Sequence, residues 1–447
     1  MAVRSPEPLE VLRERIEQRD WQGAIELLSQ LKAADEAATF SELSERNKEE
    51  LLPRLNSKEL AKILEGSEKA EAARISQKLS SSTLSEVLDQ VSPEHAADVL
   101  HQLPPSQAQQ ILGGMKAREA VSSLINYPDE SAGGLMTPEL VAFSPEMTVA
   151  EAISRLREVK PTHDAVNVFF VVDRQGKLCG QLSWRELILA DPEARISEVM
   201  QTDLLWVTPE TDREECARLM ERYNLTALPV VDQEQHLLGL IRLEESIRVL
   251  EEENTEDMYH MIGLSGQERA SAPWFQSVKR RLPWLCLNLG TAILAGLVVS
   301  LFESTVAKAA ILAAFIPIVA GQGANAGAQT LTIIVRSLAL GEVSFRNARW
   351  VMFKEVSLAF VSGLAVALIA GLVAFLWKGS PWLALVLGVA ILFTMLAAGL
   401  SGALVPLALK LLRIDPALAS SIIVTTITDV LSAFFLLGLA TAVLHLL

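Results

Sequence analysis

The stretch Ala417-Leu-Ala-Ser-Ser-Ile-Ile-Val-Thr-Thr-Ile-Thr-Asp429-Val-Leu-Ser-Ala-Phe-Phe-Leu-Leu-Gly-Leu-Ala-Thr-Ala-Val-Leu-His-Leu-Leu447 holds one acid, Asp429, and no lysine or arginine. Its length suffices for a helix that crosses the hydrocarbon core of a bilayer. A carboxylate at that depth costs at least ~2.5 kcal/mol, so Asp429 has to face protein or water. Ser421, Thr425, Thr428 and Ser432 recur at spacings of 4, 3 and 4 and share one helical face. Asp429 sits about 70° round from the middle of that face, at its edge. Together these residues read as the lining of a cation path.

Working outward, charge divides the chain in two. Residues 282–447 hold five acids and eight bases, and residues 1–281 hold 49 acids and 31 bases. The front therefore carries −18 and the back +3. An acidic soluble region joined to a membrane region argues against nucleic acid as a partner and favours cations. The first twenty residues are charged and no apolar run precedes residue 283, so no secretory signal is read and the soluble part is expected in the cytosol. Cys179, Cys216 and Cys286 are scattered, as are the six histidines, and neither set has metal-ligand or disulfide spacing.

Apolar runs predict five spans: Pro283–Phe302, about Ala307–Leu340, Trp350–Trp377, Trp382–Leu409 and Leu418–Leu447. Pro317, Gly321, Gly323 and Gly327 predict a kinked or partly unwound second span. Lysine and arginine concentrate before the first span and in alternate connections, which places the N-terminus in the cytosol and the C-terminus outside. A single isolated Asp is thin provision for a divalent ion. A symmetric homodimer would bring two copies together on its axis.

The cytosolic half contains two repeats. From residue 60 to 124 a unit recurs every 12 residues: Leu60-Ala-Lys-Ile-Leu, Ala72-Ala-Arg-Ile-Ser, Leu84-Ser-Glu-Val-Leu, Ala96-Ala-Asp-Val-Leu, Ala108-Gln-Gln-Ile-Leu and Ala120-Val-Ser-Ser-Leu. Helix starters such as Ser92-Pro93-Glu94 stand between them, predicting one short helix per unit in a stacked superhelix. Ala24-Ile-Glu-Leu-Leu falls in the same phase. A longer duplication follows, opening on Met136-Thr-Pro and Met200-Gln-Thr and continuing to Phe170-Val-Val-Asp and Pro229-Val-Val-Asp.

The strand–helix–strand–strand–helix order of that duplication resembles a tandem pair of CBS domains over residues 136–250. Such pairs often bind adenine nucleotides through Gly-x-x-Thr/Ser-x-x-Asp. Here the copies read Gly180-Gln-Leu-Ser183-Trp-Arg-Glu186 and Gly239-Leu-Ile-Arg242-Leu-Glu-Glu245. Ser183 and Glu186 are the nucleotide candidates, with ATP the cofactor implied; the missing Asp and the missing second hydroxyl favour structural modules without nucleotide. Glu244, Glu245, Glu251, Glu252, Glu253, Glu256 and Asp257 then form an acidic stretch that reads as a connecting helix.

In this order the elements resemble the MgtE family of magnesium channels and transporters, from about residue 60 onward. The motifs that carry the resemblance are Pro317-Ile-Val-Ala-Gly-Gln-Gly-Ala-Asn325-Ala-Gly327-Ala-Gln329 with Arg336, and Asp415-Pro with Thr425-Thr-Ile-Thr-Asp429. The resemblance implies that Asp429 is the pore acid, with Thr425, Asn325 and Gln329 beside it, Glu303 near the outer mouth, and Glu355 and Asp415 toward the cytosolic side. It also implies Mg²⁺ sensing by Glu94, Asp98, Asp232, Glu251, Glu252, Glu256 and Asp257, with bridging ions closing the path. On geometry alone, Asn325, Gln329, Thr332 and Arg336 share a face that serves either the ion or helix packing. Ala324, where the family usually has Gly, and Arg242 and Arg248, near the expected sensing surface, depart from the pattern.

The expected architecture is multidomain: an all-α superhelical N-terminal domain (1–130), a tandem α/β CBS pair (131–198 and 199–246), an acidic, plug-like connecting helix (247–275) and a five-helix α transmembrane domain (276–447) in a homodimer. The expected function is Mg²⁺ influx with feedback closure, through a site of oxygen ligands that holds the ion in its water shell. The alternatives are a broader Co²⁺/Mg²⁺ transporter and a CBS-coupled membrane sensor that transports nothing. An intramembrane aspartyl protease is disfavoured, because it needs a pair of catalytic carboxylates.

Overall fold

The computed structural model describes residues 7–67, 69–160, 168–264, 266, 268, 274–344 and 346–443. The last residues of the expected fifth span, including His445, and part of the expected connecting segment lie outside the described residues. The chain forms two compact units, residues 1–251 and 252–447.

The first unit opens with short helices: α1 (Glu7–Glu17), α2 (Trp21–Ser29), α3 (Ala33–Ser41), α4 (Glu45–Leu51), α5 (Ser57–Gly66), α6 (Lys69–Gln77), α7 (Ser81–Leu88), α8 (Pro93–His101), α9 (Pro105–Gly114) and α10 (Arg118–Leu124). From α2 to α9 each begins 12 residues after the last, so the period seen at 60–124 extends back to Trp21. Polar side chains start them. Asp20 accepts from Gly23 N at 3.0 Å, Ser80 from Thr83 N at 3.2 Å, and Asn56 with Glu59 makes a reciprocal capping box. Helices pack on their next-but-one neighbours, α3 on α5, α5 on α7 and α7 on α9, burying Leu60, Ile63, Leu84, Leu88 and Ile111 in a continuous core.

A short α11 (Ala132–Leu135) leads into the duplicated part. Its first copy has β1 (Ala142–Phe143), α12 (Val149–Val159), β2 (Val168–Val172), β3 (Leu178–Ser183), α13 (Trp184–Leu189) and α14 (Ile196–Val199). β2 pairs parallel with β1 and antiparallel with β3. The second copy has α15 (Arg213–Tyr223), β4 (Ala227–Val231), β5 (Leu237–Arg242) and α16 (Leu243–His260). Its expected first strand is reduced to one bridge, Val207 with Val230. The leaders are exchanged: Thr137 bridges Leu240 of the second copy, and Gln201 bridges Gln181 of the first. A Cβ at Gly180 would lie 2.4 Å from Met200 Sδ, and one at Gly239 2.7 Å from Thr137 O. The glycine of each nucleotide-like motif therefore admits the leader of the other copy.

In the second unit, α17 (Trp274–Ser300) and the short α18 (Glu303–Lys308) precede α19 (Leu312–Ala339), α20 (Ala348–Lys378), α21 (Pro381–Leu411) and α22 (Pro416–Ala442). Among the described residues, four helices are long and apolar enough to cross a membrane: α17, α20, α21 and residues 420–442 of α22. The fifth expected span, α19, is ~42 Å long but carries Gln322, Asn325 and Gln329.

The expected unwinding of α19 is not found: the helix is continuous through Pro317 and all three glycines. The chain breaks earlier, between Lys308 and Leu312, and the N–H groups of Leu312, Ala313 and Ala314 bond tightly to carbonyls three residues back. Pro317 withholds one donor near the helix start, which flanking packing tolerates. Two of the glycines serve close approach: a Cβ at Gly323 would meet Thr394 Cγ2 at 2.6 Å and one at Gly327 would meet Val424 Cγ1 at 2.8 Å.

Candidate cation path

Gly323 lies against Thr428, Gly327 against Val424, and Leu331 in one cluster with Ala417. That register sets α19 antiparallel to α22 and places Asn325 level with Thr425 and Thr426, within about one turn of the depth of Asp429. Asn325, Gln329, Thr332 and Arg336 are all exposed on the single chain. The side chains of Asn325 and Gln329 and the carboxylate of Asp429 make no hydrogen bond among the described residues. Within one chain, the amide face is not used for packing.

The hydroxyl face divides. Thr428 and Ser432 are buried, 0% and 1% exposed. Their hydroxyls donate to the carbonyls of Thr425 and Asp429, both at 2.9 Å. They pack the helix bundle and do not line an open face. The open stripe is Thr425 with Asp429, one turn apart, Thr425 exposed and Asp429 half-buried. Period alone could not separate the two sets, because back-bonding to the preceding turn is invisible in spacing.

Asp415 is exposed and caps α22, accepting from Ala417 N at 2.8 Å. The end of α16 meets it: His260 Nδ1 is 3.4 Å from Asp415 Oδ2, and His260 Nε2 is 3.6 Å from Glu256. Met261 packs on Leu331, Val335 and Ala417, and Arg336 donates to Asn254 Oδ1. An imidazole thus stands among the acids at this end, which sequence reading missed because His260 and Asp415 are 155 residues apart. The helix carrying Glu251, Glu252, Glu256 and Asp257 starts at Leu243 and ends at His260. Glu303 is exposed at the start of α18. Glu355 is buried (1% exposed), accepts from Thr330 Oγ1 at 3.4 Å and has Lys354 Nζ at 3.5 Å. Among the described residues no three metal-ligating side chains form a cluster.

The remaining candidates fall in the first unit, and their carboxylates are engaged. Glu94 pairs with Arg242, and Asp98 with Lys69 at 2.8 Å. Asp232 Oδ1 accepts from Glu234 N and His236 N at 2.9 and 2.8 Å while Oδ2 meets His236 Nδ1 at 2.9 Å; that ring contact and the two amides hold its carboxyl below the usual range. Asp173 makes the same turn in the first copy, accepting from Gln175 N and Lys177 N. Ser183 and Glu186 form a capping box at the start of α13, and Gln201 Nε2 donates to Glu186 at 3.1 Å. The hydroxyl beside Glu186, ahead of opposing burial, holds that carboxyl low.

A family described as a divalent cation transporter matches residues 316–439, the MgtE intracellular N domain matches 55–137, and CBS domains match 132–193 and 196–251. The magnesium transporter MgtE of Thermus thermophilus is 37% identical over 338 residues, 74% of each chain. The chain belongs to the MgtE family. MgtE of Bacillus subtilis is 33% identical over 337 residues, 75% of this chain and 74% of its own. The crystal structure of the cytosolic domain of the Mg²⁺ channel MgtE in complex with ATP aligns with a TM-score of 0.50 and 34% identity, covering 54% of this chain and 99% of that one. MgtE proteins are transporters, not enzymes, and this chain is a multi-pass membrane protein of that kind.

Proposed function

We propose that this chain carries Mg²⁺ into the cell along a path lined by Asp429 and Thr425 of α22 and by Asn325 and Gln329 of α19. The observation that carries the reading is the open, unpartnered carboxamide face of α19, which begins at Asn325 within about one turn of the depth of Asp429. Mg²⁺ dehydrates reluctantly and meets protein through one or two carboxylates, its waters filling the octahedron. Two chains related by a twofold axis would supply two Asp429 carboxylates to one hydrated ion, with the carboxamides of Asn325 and then Gln329 further along the same path. In this reading α19 crosses the membrane as a fifth span, since its contacts run from the end of α22 near Leu436 and Ala440 to Ala417. The N-terminus and the −18 front are cytosolic and the protein sits in the cell membrane.

Feedback belongs to the acids at the inner end. Glu252, Glu256, Asp257 and Asp415 would bind Mg²⁺ and favour the closed state, and an ion that prefers one state shifts the population toward it. In the CBS pair, Ser183 and Glu186 act as a helix cap, and the pair serves as a structural module; saturable ATP binding by the purified protein would overturn that part.

Rescue of a magnesium-auxotrophic bacterium tests the path. Wild type should rescue and Asp429→Ala should not, with Asn325→Ala impaired. Equal rescue by wild type and Asp429→Ala removes Asp429 from the path. Wild type that fails to move Mg²⁺ at all favours the sensor reading, and parallel Co²⁺ uptake measures the breadth of selectivity.

A further inference from the structure

Glu94, in the first turn of α8, is 4% exposed and faces Arg242, the last residue of β5. Arg242 Nη2 donates to Glu94 Oε1 and lies 3.8 Å from Glu245 Oε1. Glu245, 6% exposed, accepts in turn from Arg248. Two carboxylates and two guanidiniums thus make a neutral set where the helical repeat meets the second CBS copy. Burial works to raise both carboxyls. At Glu94 it prevails over Arg242, whereas at Glu245 the combined charges of Arg248, His95 and Arg242 outweigh it and hold the group low. One turn along α8, Asp98 is already matched by Lys69.

We propose that Arg242 is a tethered cation that docks the helical repeat onto the second CBS copy without Mg²⁺, so that metal-dependent closure is confined to the acids near the inner end of the membrane helices. The inference rests on the reading of a Mg²⁺ path under feedback. Without Arg242, Glu94 and Glu245 would face each other across a buried site with Arg248 alone to offset them, an arrangement that a divalent ion could bridge. With it, attachment of the guanidinium to β5 gives that cation an effective local concentration that a millimolar free ion does not exceed. Glu94 Oε2 has no hydrogen-bond partner among the described residues and Glu245 Oε1 has Arg242 no nearer than 3.8 Å, so an ion that reached these oxygens with its own waters would have to enter a buried site beside a fixed guanidinium.

Hydrogen exchange of the detergent-solubilised full-length chain, in EDTA and in millimolar MgCl₂, tests this at the amides of α8, β5 and the first turns of α16. Wild type should be equally protected in both. Arg242→Gln should exchange more than about tenfold faster in EDTA and regain protection with Mg²⁺, and Glu94→Gln/Arg242→Gln should lose that Mg²⁺ response. The swap Glu94→Arg/Arg242→Glu should be protected in EDTA like wild type, which keeps the test decisive if the single variant fails to fold. Wild-type protection that collapses in EDTA, or a swap that needs Mg²⁺, overturns the proposal. Failure of the transport reading appears separately, as absent Mg²⁺ uptake by wild type.

Discussion

Gly323 and Gly327 hold α19 against its neighbours because any Cβ there would overlap an existing side chain. Gly327→Val should cost about 1–3 kcal/mol through overpacking against Val424, read as a lowered midpoint in thermal unfolding of the solubilised protein. Gly321, which has open space at its Cβ position, should tolerate Ala with little change. His101 offers a second test. Its Nε2 meets Ile125 O at 2.7 Å and its Nδ1 meets Asp129, two acceptors that together demand the imidazolium. The Asp129 carboxylate, the Ile125 carbonyl and Asp98 raise its pKa above the ordinary 6.5 against burial, and at Asp129 burial is outweighed by the His101 hydrogen bond and then by Lys69 and Arg213, so that carboxyl is lowered. A raised folded value means that the contribution is complete below 6.5 and is lost as pH rises through the folded value. His101→Gln should cost about 1.5–3 kcal/mol below that point and should flatten the alkaline fall of the unfolding midpoint. None of this was legible in the sequence, where His101 stood as one of six scattered histidines.

Among elements, the 12-residue helix was the most legible, because each unit repeats its apolar phase and its cap. The charged stretch 30–56 hid the same period, yet α3 and α4 keep it by burying few but well-placed residues, Phe40 and Leu51 among them. Leu84, 0% exposed at the centre of α7, should cost about 2–5 kcal/mol when cut to Ala, and because neighbouring repeats share the core the loss should show as early exchange in α5, α7 and α9 together. In α19 the composition misled. Proline with three glycines reads as a break, but one missing donor is minor beside helix contacts that only glycine permits. In α22 the period was right and its meaning was not, since two of the four hydroxyls turn back on their own helix.

At the scale of the whole molecule, the number of crossings decides where the inner acids lie. With α19 as a fifth span, a cysteine at Ser380 should react with a membrane-impermeant maleimide from outside, and one at Arg346 only after permeabilisation, in a background lacking Cys179, Cys216 and Cys286. The reverse pattern would mean that α19 does not cross. What the sequence determined by itself was everything written in local pattern: apolar runs long enough for a bilayer, the 12-residue helix, the duplicated CBS order and the presence of one acid deep in the last helix. These depend on neighbours within a few turns, so spacing reports them. Only the tertiary structure decided which polar groups are already spent: Glu94 on an arginine 148 residues away, the leader of each CBS copy in the other's sheet, and Thr428 and Ser432 in the bundle, leaving Asp429, Asn325 and Gln329 open. Partnership across the chain is set by how faces pack, and a periodic pattern gives the phase of a face without naming what it meets.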